Sequence, residues 1–128
     1  MPATERAHRL AEAAGLAAAD KLAQDVVAID VSERLPLTDC FVIASAPNER
    51  QVQAVVDGVE ERLRALEAKP VRREGQLEAR WVLLDFGEIV VHVLHTDERE
   101  FYGLERLWKD CPEIPLPAEV YGPPAVSD

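Results

Sequence analysis

The sequence predicts a single α+β domain, a mixed sheet of about four or five strands packed with helices. Three observations carry that prediction. Residues 4–23 and 48–66 place apolar side chains at helical spacing, and residues 81–94 read as two β-rich runs around a Gly-containing turn. With 128 residues, 48% of them hydrophobic, the chain fills one core and is short for two.

Residues 4–23 are rich in Ala, Leu, Glu and Lys, which enter a helix at little cost, and Leu10, Ala14, Ala17 and Ala18 fall near one face. Gln24-Asp25 leads into the β-branched run 26–31, a loop containing Pro36 follows, and residues 40–44 form a second run. The short link favours an antiparallel pair. Asn48 can cap a second helix, with Gln51 three positions on completing a capping-box-like pattern. Val52, Val55, Val56, Val59, Leu63 and Leu66 then form a stripe expected to lie on the sheet, until Lys69-Pro70 ends the helix. Residues 71–75 are a short strand or loop. The second helix therefore crosses from the second strand to the Trp81 hairpin, in the right-handed sense wherever the joined strands are parallel.

In that hairpin, with Phe86 and Gly87 as the loop, Asp85 faces Glu88, Leu83 faces Val90 and Trp81 faces His92. Val82, Leu84, Ile89, Val91 and Val93 then form an aliphatic face suited to lying under helices. The other face carries Trp81, Leu83, Asp85, Glu88, Val90, His92 and Leu94. An aromatic anchor among polar groups suits a protein-binding surface. The competing reading is a second core layer with Trp81 and His92 as satisfied buried residues, and spacing alone does not choose between the two.

Asp97 and Glu100 have the spacing of a helix start, after which Phe101, Leu104, Leu107 and Trp108 give an apolar face. Arg99 and Arg106, seven apart on that helix, either pair with nearby acids, the commoner case, or join an interface. From Pro112 the closely spaced prolines forbid helix and favour an extended tail, so the expected division is a domain at 1–111 and a Pro-rich, loosely ordered tail at 112–128.

A net charge of −10 argues against free nucleic acid as the main partner and suits a basic protein, although an acidic surface also serves solubility. No apolar run is long enough to span a bilayer and the first residues lack a signal-peptide core, so a soluble cytoplasmic protein is expected. Cys40 and Cys111 form no Cys-x-x-Cys motif and read as free thiols. A metal site from Cys40, Cys111, His92 and His95 has no supporting spacing, since strand residues three apart, such as the two histidines, point to opposite faces. No metal and no cofactor is expected.

Across roughly residues 8–111 the chain resembles the ribosomal silencing factor, or Iojap-like, family. The resemblance rests on ordered blocks: Thr38-Asp39-Cys40-Phe41-Val42-Ile43 with Ser45; Glu74-Gly75 before Trp81; Asp85-Phe86-Gly87-Glu88 leading into Val90-Val91-His92; and Arg99-Glu100-Phe101-Tyr102 with Leu104-Glu105 and Leu107-Trp108. It implies a nucleotidyltransferase-like fold and a translational repressor. Such a repressor binds the fourteenth protein of the large ribosomal subunit at the intersubunit face and sterically blocks joining of the small subunit. Trp81 would anchor the contact, with Leu83, Val90 and Leu94 as apolar neighbours and Asp85, Glu88 and His92 as polar contacts; Phe101 and Tyr102 are secondary candidates from the family block. The same face could pair two copies, so that a homodimer would compete with ribosome binding.

Where the family usually has Ser-Gly after the second strand, this chain has Ser45-Ala46-Pro47, and Pro47 has no backbone donor. Nucleotidyl transfer needs a phosphate-contacting Gly-Ser turn and paired carboxylates for metal, and neither is found; no Asp-x-Asp follows on the next strand. Asp85 with Glu88 could be proposed as an acid/base pair, yet acids beside a turn more often solvate it. The alternatives to a repressor are thus a degenerate nucleotidyltransferase-like enzyme or nucleotide binder, and an adaptor for ribosome assembly.

Overall fold

The computed structural model describes residues 2–121. Along the chain run α1 (Glu5–Asp20), β1 (Gln24–Asp30), β2 (Cys40–Ala46), α2 (Glu49–Arg64), β3 (Arg72–Glu74), β4 (Trp81–Asp85), β5 (Ile89–His95), α3 (Thr96–Tyr102), a 3₁₀ helix (Leu104–Trp108), β6 (Glu113–Ile114) and a 3₁₀ turn (Ala118–Tyr121). The strands form one mixed sheet in the order β3-β4-β5-β2-β1-β6. Only β2 and β5 run parallel, joined through the α2 crossover; β1 and β2 are antiparallel, as their short link requires. Every residue of β2, the strand beside that parallel pairing, is buried.

Two cores result. On one face α1 and α2 lay Leu10, Ala14, Val52, Val55, Val59 and Leu63 over Val42, Val82, Leu84, Val91 and Val93. The other face gathers Ile29, Val31, Phe41, Ile43, Val90, Leu94 and Leu104, with Trp81, Leu83 and Trp108 half-buried at its border.

Both long helices start as capped helices should: Thr4 Oγ1 accepts the Ala7 N–H at 3.1 Å, and Asn48 Oδ1 accepts the Gln51 N–H at 2.8 Å. The capping box is only half made. The Gln51 amide donates instead to the Lys21 and Leu22 carbonyls, both at 3.3 Å, tying α2 to the end of α1. α2 also stops before the proline: the Ala68 N–H returns to the Leu63 carbonyl with Glu67 left-handed at φ 63°, and Leu66 leaves the stripe for solvent.

The hairpin register differs from the expected one. Trp81 pairs with Leu94, Leu83 with His92 and Asp85 with Val90, because the two-residue loop is Gly87-Glu88, one position further along, closed by the Phe86 N–H onto the Ile89 carbonyl at 2.9 Å. The slip is an even number of residues, so every side chain within the two strands keeps its assigned face, and only Glu88, in the loop, leaves it.

α3 begins one residue earlier than Asp97 and is capped by His95, whose Nδ1 accepts the Asp97 N–H at 3.1 Å. Gly103, at φ 55° and ψ 48°, ends it. The expected continuous apolar face is thereby split: Leu104 turns inward and Trp108 is half-buried, while Phe101 and Leu107 stand 81% and 65% exposed.

The tail boundary at 112 is also revised. Glu113–Ile114 adds an edge strand to β1, and Leu116 and Val120 fill the space over Gly15 of α1. Proline cannot donate, but it can accept: the Pro112 carbonyl takes the Asp30 N–H at 2.8 Å, and an edge strand needs hydrogen bonds on one side only. Among the described residues the sheet therefore has six strands. The last part of the expected loose tail, 122–128, lies outside the described residues.

Candidate partner-binding face

On the sheet face away from α1 and α2, aromatic rings follow one another from the core to the surface. Trp108 packs edge-on to Phe41 at 5.0 Å between centroids, Phe41 edge-on to His92 at 4.8 Å, and His92 lies 6.1 Å from Trp81. Trp81 then meets Tyr102 at 5.3 Å, and Tyr102 meets Phe101 at 4.9 Å. At the half-buried Trp108 end the Arg34 guanidinium sits 5.1 Å over the ring. Exposure rises along the row from 5% at His92 to 54% at Tyr102 and 81% at Phe101. Rings held by their neighbours give a partner area with little side-chain entropy left to lose.

The nine residues expected to touch a partner fall into three groups. Phe101 and Tyr102 are exposed, and Trp81, Leu83 and Asp85 are half-buried at the surface. Val90, His92 and Leu94 are buried and form the layer beneath, so in this conformation they support the face and offer it no area. Glu88 turns the other way, toward the helix layer, where its carboxylate pairs with Arg6 of α1 at 3.4 Å. It does not face Asp85, whose carboxylate accepts the Gly87 N–H at 2.8 Å, so the proposed acid/base pair is not formed. His92 is thus buried, as the second-core alternative has it, but not satisfied, since its Nε2 has no hydrogen-bond partner, and Trp81 is only half-buried.

His92 is neutral, its pKa pushed down to about 4 by burial. Its Nδ1 accepts the Trp81 indole N–H at 3.1 Å, which puts the ring proton on Nε2, an atom buried without a hydrogen-bond partner. Gly75 is needed on the other side of Trp81. It sits at φ 80°, and a Cβ there would collide with the Trp81 carbonyl oxygen. In the Glu74-Gly75 block before Trp81 the glycine is therefore a backbone requirement.

Arg99 pairs with a nearby acid, as expected, while its links to Gln24 and Ser45, which lock α3 in place, were missed by sequence reasoning. Arg99 is buried; its Nε and Nη2 engage the Glu105 carboxylate at 3.3 and 3.1 Å, and its Nη1 reaches the Gln24 carbonyl at 3.3 Å and Ser45 Oγ at 3.2 Å. Ser45 in turn donates to the Gln24 carbonyl at 3.1 Å. Arg80 joins Glu49 of α2 to Glu98 of α3 at 2.8 and 2.9 Å. The seven-residue spacing to Arg106 pointed to a shared helix face, and the break at Gly103 removed it.

Arg99 and Ser45 line a cleft of about 350 Å³ with Asp25, Thr96, Glu100 and Arg106, at the end of β2, where Ser45 and Ala46 still pair with β5. A transferred phosphate would need donors here, and those of Arg99 are engaged by the protein itself. Cys40 lies in the helix-side core with its thiol pushed up to about 12, chiefly by burial, while Cys111 borders the opposite core. Among the described residues no three His, Cys, Asp or Glu side chains converge on a metal position, and no helix is long and apolar enough to cross a membrane.

Residues 4–126 match the family model described as ribosomal silencing factor during starvation. The chain is 41% identical over 97 residues to ribosomal silencing factor RsfS of Halalkalibacterium halodurans, covering 76% of this chain and 83% of that one. It is 34% identical over 89 residues to mitochondrial assembly of ribosomal large subunit protein 1 of Mus musculus, covering 67% of this chain and 39% of the longer relative. Among solved structures, a protein from Chromobacterium violaceum superposes with a TM-score of 0.76 at 31% identity, over 79% of this chain and 84% of that one.

Proposed function

Because this chain belongs to the ribosomal silencing factor family, and so acts on the large ribosomal subunit in silencing or assembly, we propose that it represses translation by steric exclusion. On this reading it binds the fourteenth protein of the large subunit at the intersubunit face, in the cytoplasm, and blocks joining of the small subunit without chemistry of its own. The observation that carries the reading is the aromatic row around Trp81. It ends in the exposed rings of Tyr102 and Phe101, in a chain of net charge −10. Such a face suits a basic protein, which the charge would steer toward it and the rings would hold.

Sedimentation with separated ribosomal subunits tests the reading. The protein is expected to co-migrate with the large subunit, and Trp81→Glu to co-migrate weakly while remaining folded. Equal recovery of wild type and Trp81→Glu would remove Trp81 from the contact. An adaptor role in assembly is the second reading, favoured by the printed name of the Mus musculus relative. Binding with undisturbed subunit joining would select it. If the same face also pairs two copies, added large subunit will dissociate the homodimer.

A further inference from the structure

Beside Val90 and Leu94, which are also buried on the partner-side face, His92 alone of the three is polar. It is buried, it lies diagonally across the β4–β5 pair from Trp81, and its Nδ1 takes the Trp81 indole N–H at 3.1 Å. Phe41 packs edge-on against the imidazole from the neighbouring strand, with an interplanar angle of 71°, and Trp108 packs edge-on against Phe41 in turn. The acceptor is therefore held by rings on the side away from Trp81.

A residue that only filled this space would do better without nitrogen. The Nε2 atom is buried with no hydrogen-bond partner, a cost that Phe or Leu would avoid. What imidazole supplies is the lone pair on Nδ1. Without it the half-buried indole N–H loses its acceptor and the ring loses the constraint that sets it against Tyr102.

We infer that His92 is a positioning residue: its Nδ1 holds the Trp81 indole in the orientation the partner meets, while His92 itself touches no partner. The inference rests on the proposed large-subunit contact for its consequence, and on the Trp81–His92 bond for its mechanism. Freeing one aromatic rotamer at the centre of a contact weakens binding by roughly three- to tenfold.

The test has two arms on the full chain. In ¹⁵N NMR the Trp81 indole N–H, assigned with Trp81→Phe, is expected to be protected from solvent exchange in the wild type, to lose protection in His92→Phe, and to keep it in His92→Asn, whose side-chain oxygen can take the place of Nδ1. Affinity for purified large subunits should fall three- to tenfold for His92→Phe and be largely recovered in His92→Asn. An unprotected indole in the wild type overturns the inference whatever the variants do. So does a loss of affinity in His92→Phe with the indole still protected, or a freed indole with unchanged affinity. A wild type that does not bind large subunits, but whose indole behaves as expected, defeats the proposed function and with it the role in binding, and leaves the hold on the indole supported.

Discussion

The two faces of the sheet are built from different chemistry. The helix-side face is closed by two sixteen-residue helices and uses mainly Ala, Val and Leu, whose small volumes let α1 and α2 lie close. The partner-side face is covered only in part, by a short 3₁₀ helix and neighbouring loop residues, and adds to Ile, Val and Leu a row of Phe, Trp, Tyr and His whose rings emerge from the core. One face spends its apolar area on folding. The other keeps part of it accessible, and on the proposed reading that aromatic patch is where the partner docks.

That contrast breaks most sharply through core substitutions. Leu84→Ala, beneath the helices, should lower stability by about 2–5 kcal/mol in urea unfolding, whereas Phe101→Ala should change it by less than about 0.5 kcal/mol. Comparable losses from both would mean that Phe101 packs in solution and that the partner face is closed.

Gly75→Ala lies between the extremes. It combines a left-handed backbone with a collision against the Trp81 carbonyl oxygen, so a loss of about 2 kcal/mol or more is expected, together with displacement of Trp81. Thermal unfolding and Trp fluorescence measure both parts. Wild-type values for each would show that the turn relaxes freely.

Trp81→Glu should weaken large-subunit binding by about 2 kcal/mol, roughly thirtyfold, in a folded protein. Global unfolding of this variant would instead move Trp81 to the folding side of the comparison.

A pH series sharpens the contrast further. His92 titrates near 6.5 when unfolded and about 4 when folded, so between those values the unfolded chain binds more protons. Its contribution is therefore full above about 6.5, falls as pH falls, and is lost below about 4, amounting to at most about 3 kcal/mol by linkage. Wild type minus His92→Phe, from urea unfolding at each pH, should show that slope, and a flat difference would mean that His92 is not held neutral.

Much of this was legible in the sequence because it depends on period and not on register. Alternation assigned Val82, Leu84, Val91 and Val93 to one face and Trp81 and His92 to the other, and the even-numbered slip of the hairpin left that assignment intact. Asn48 announced its helix because a cap is a local bond. Non-local facts were not legible. No pattern within β5 shows that Val90 and Leu94 are buried, since their cover comes from distant segments such as Leu104 and Leu35. The prolines after residue 111 disguised an edge strand, whose bonds are with β1. Glu88 was lost to Arg6 across the sequence, and Arg99 found Ser45 and Gln24 the same way.

The account depends most on subunit joining. Light scattering on mixing the two ribosomal subunits, with the protein titrated onto large subunits first, reads it directly. Joining is expected to fall in proportion to large-subunit occupancy, to reach its floor at one protein per subunit, and to recover with Trp81→Glu at the same concentration. Normal joining on large subunits shown to be saturated with the protein would contradict the account.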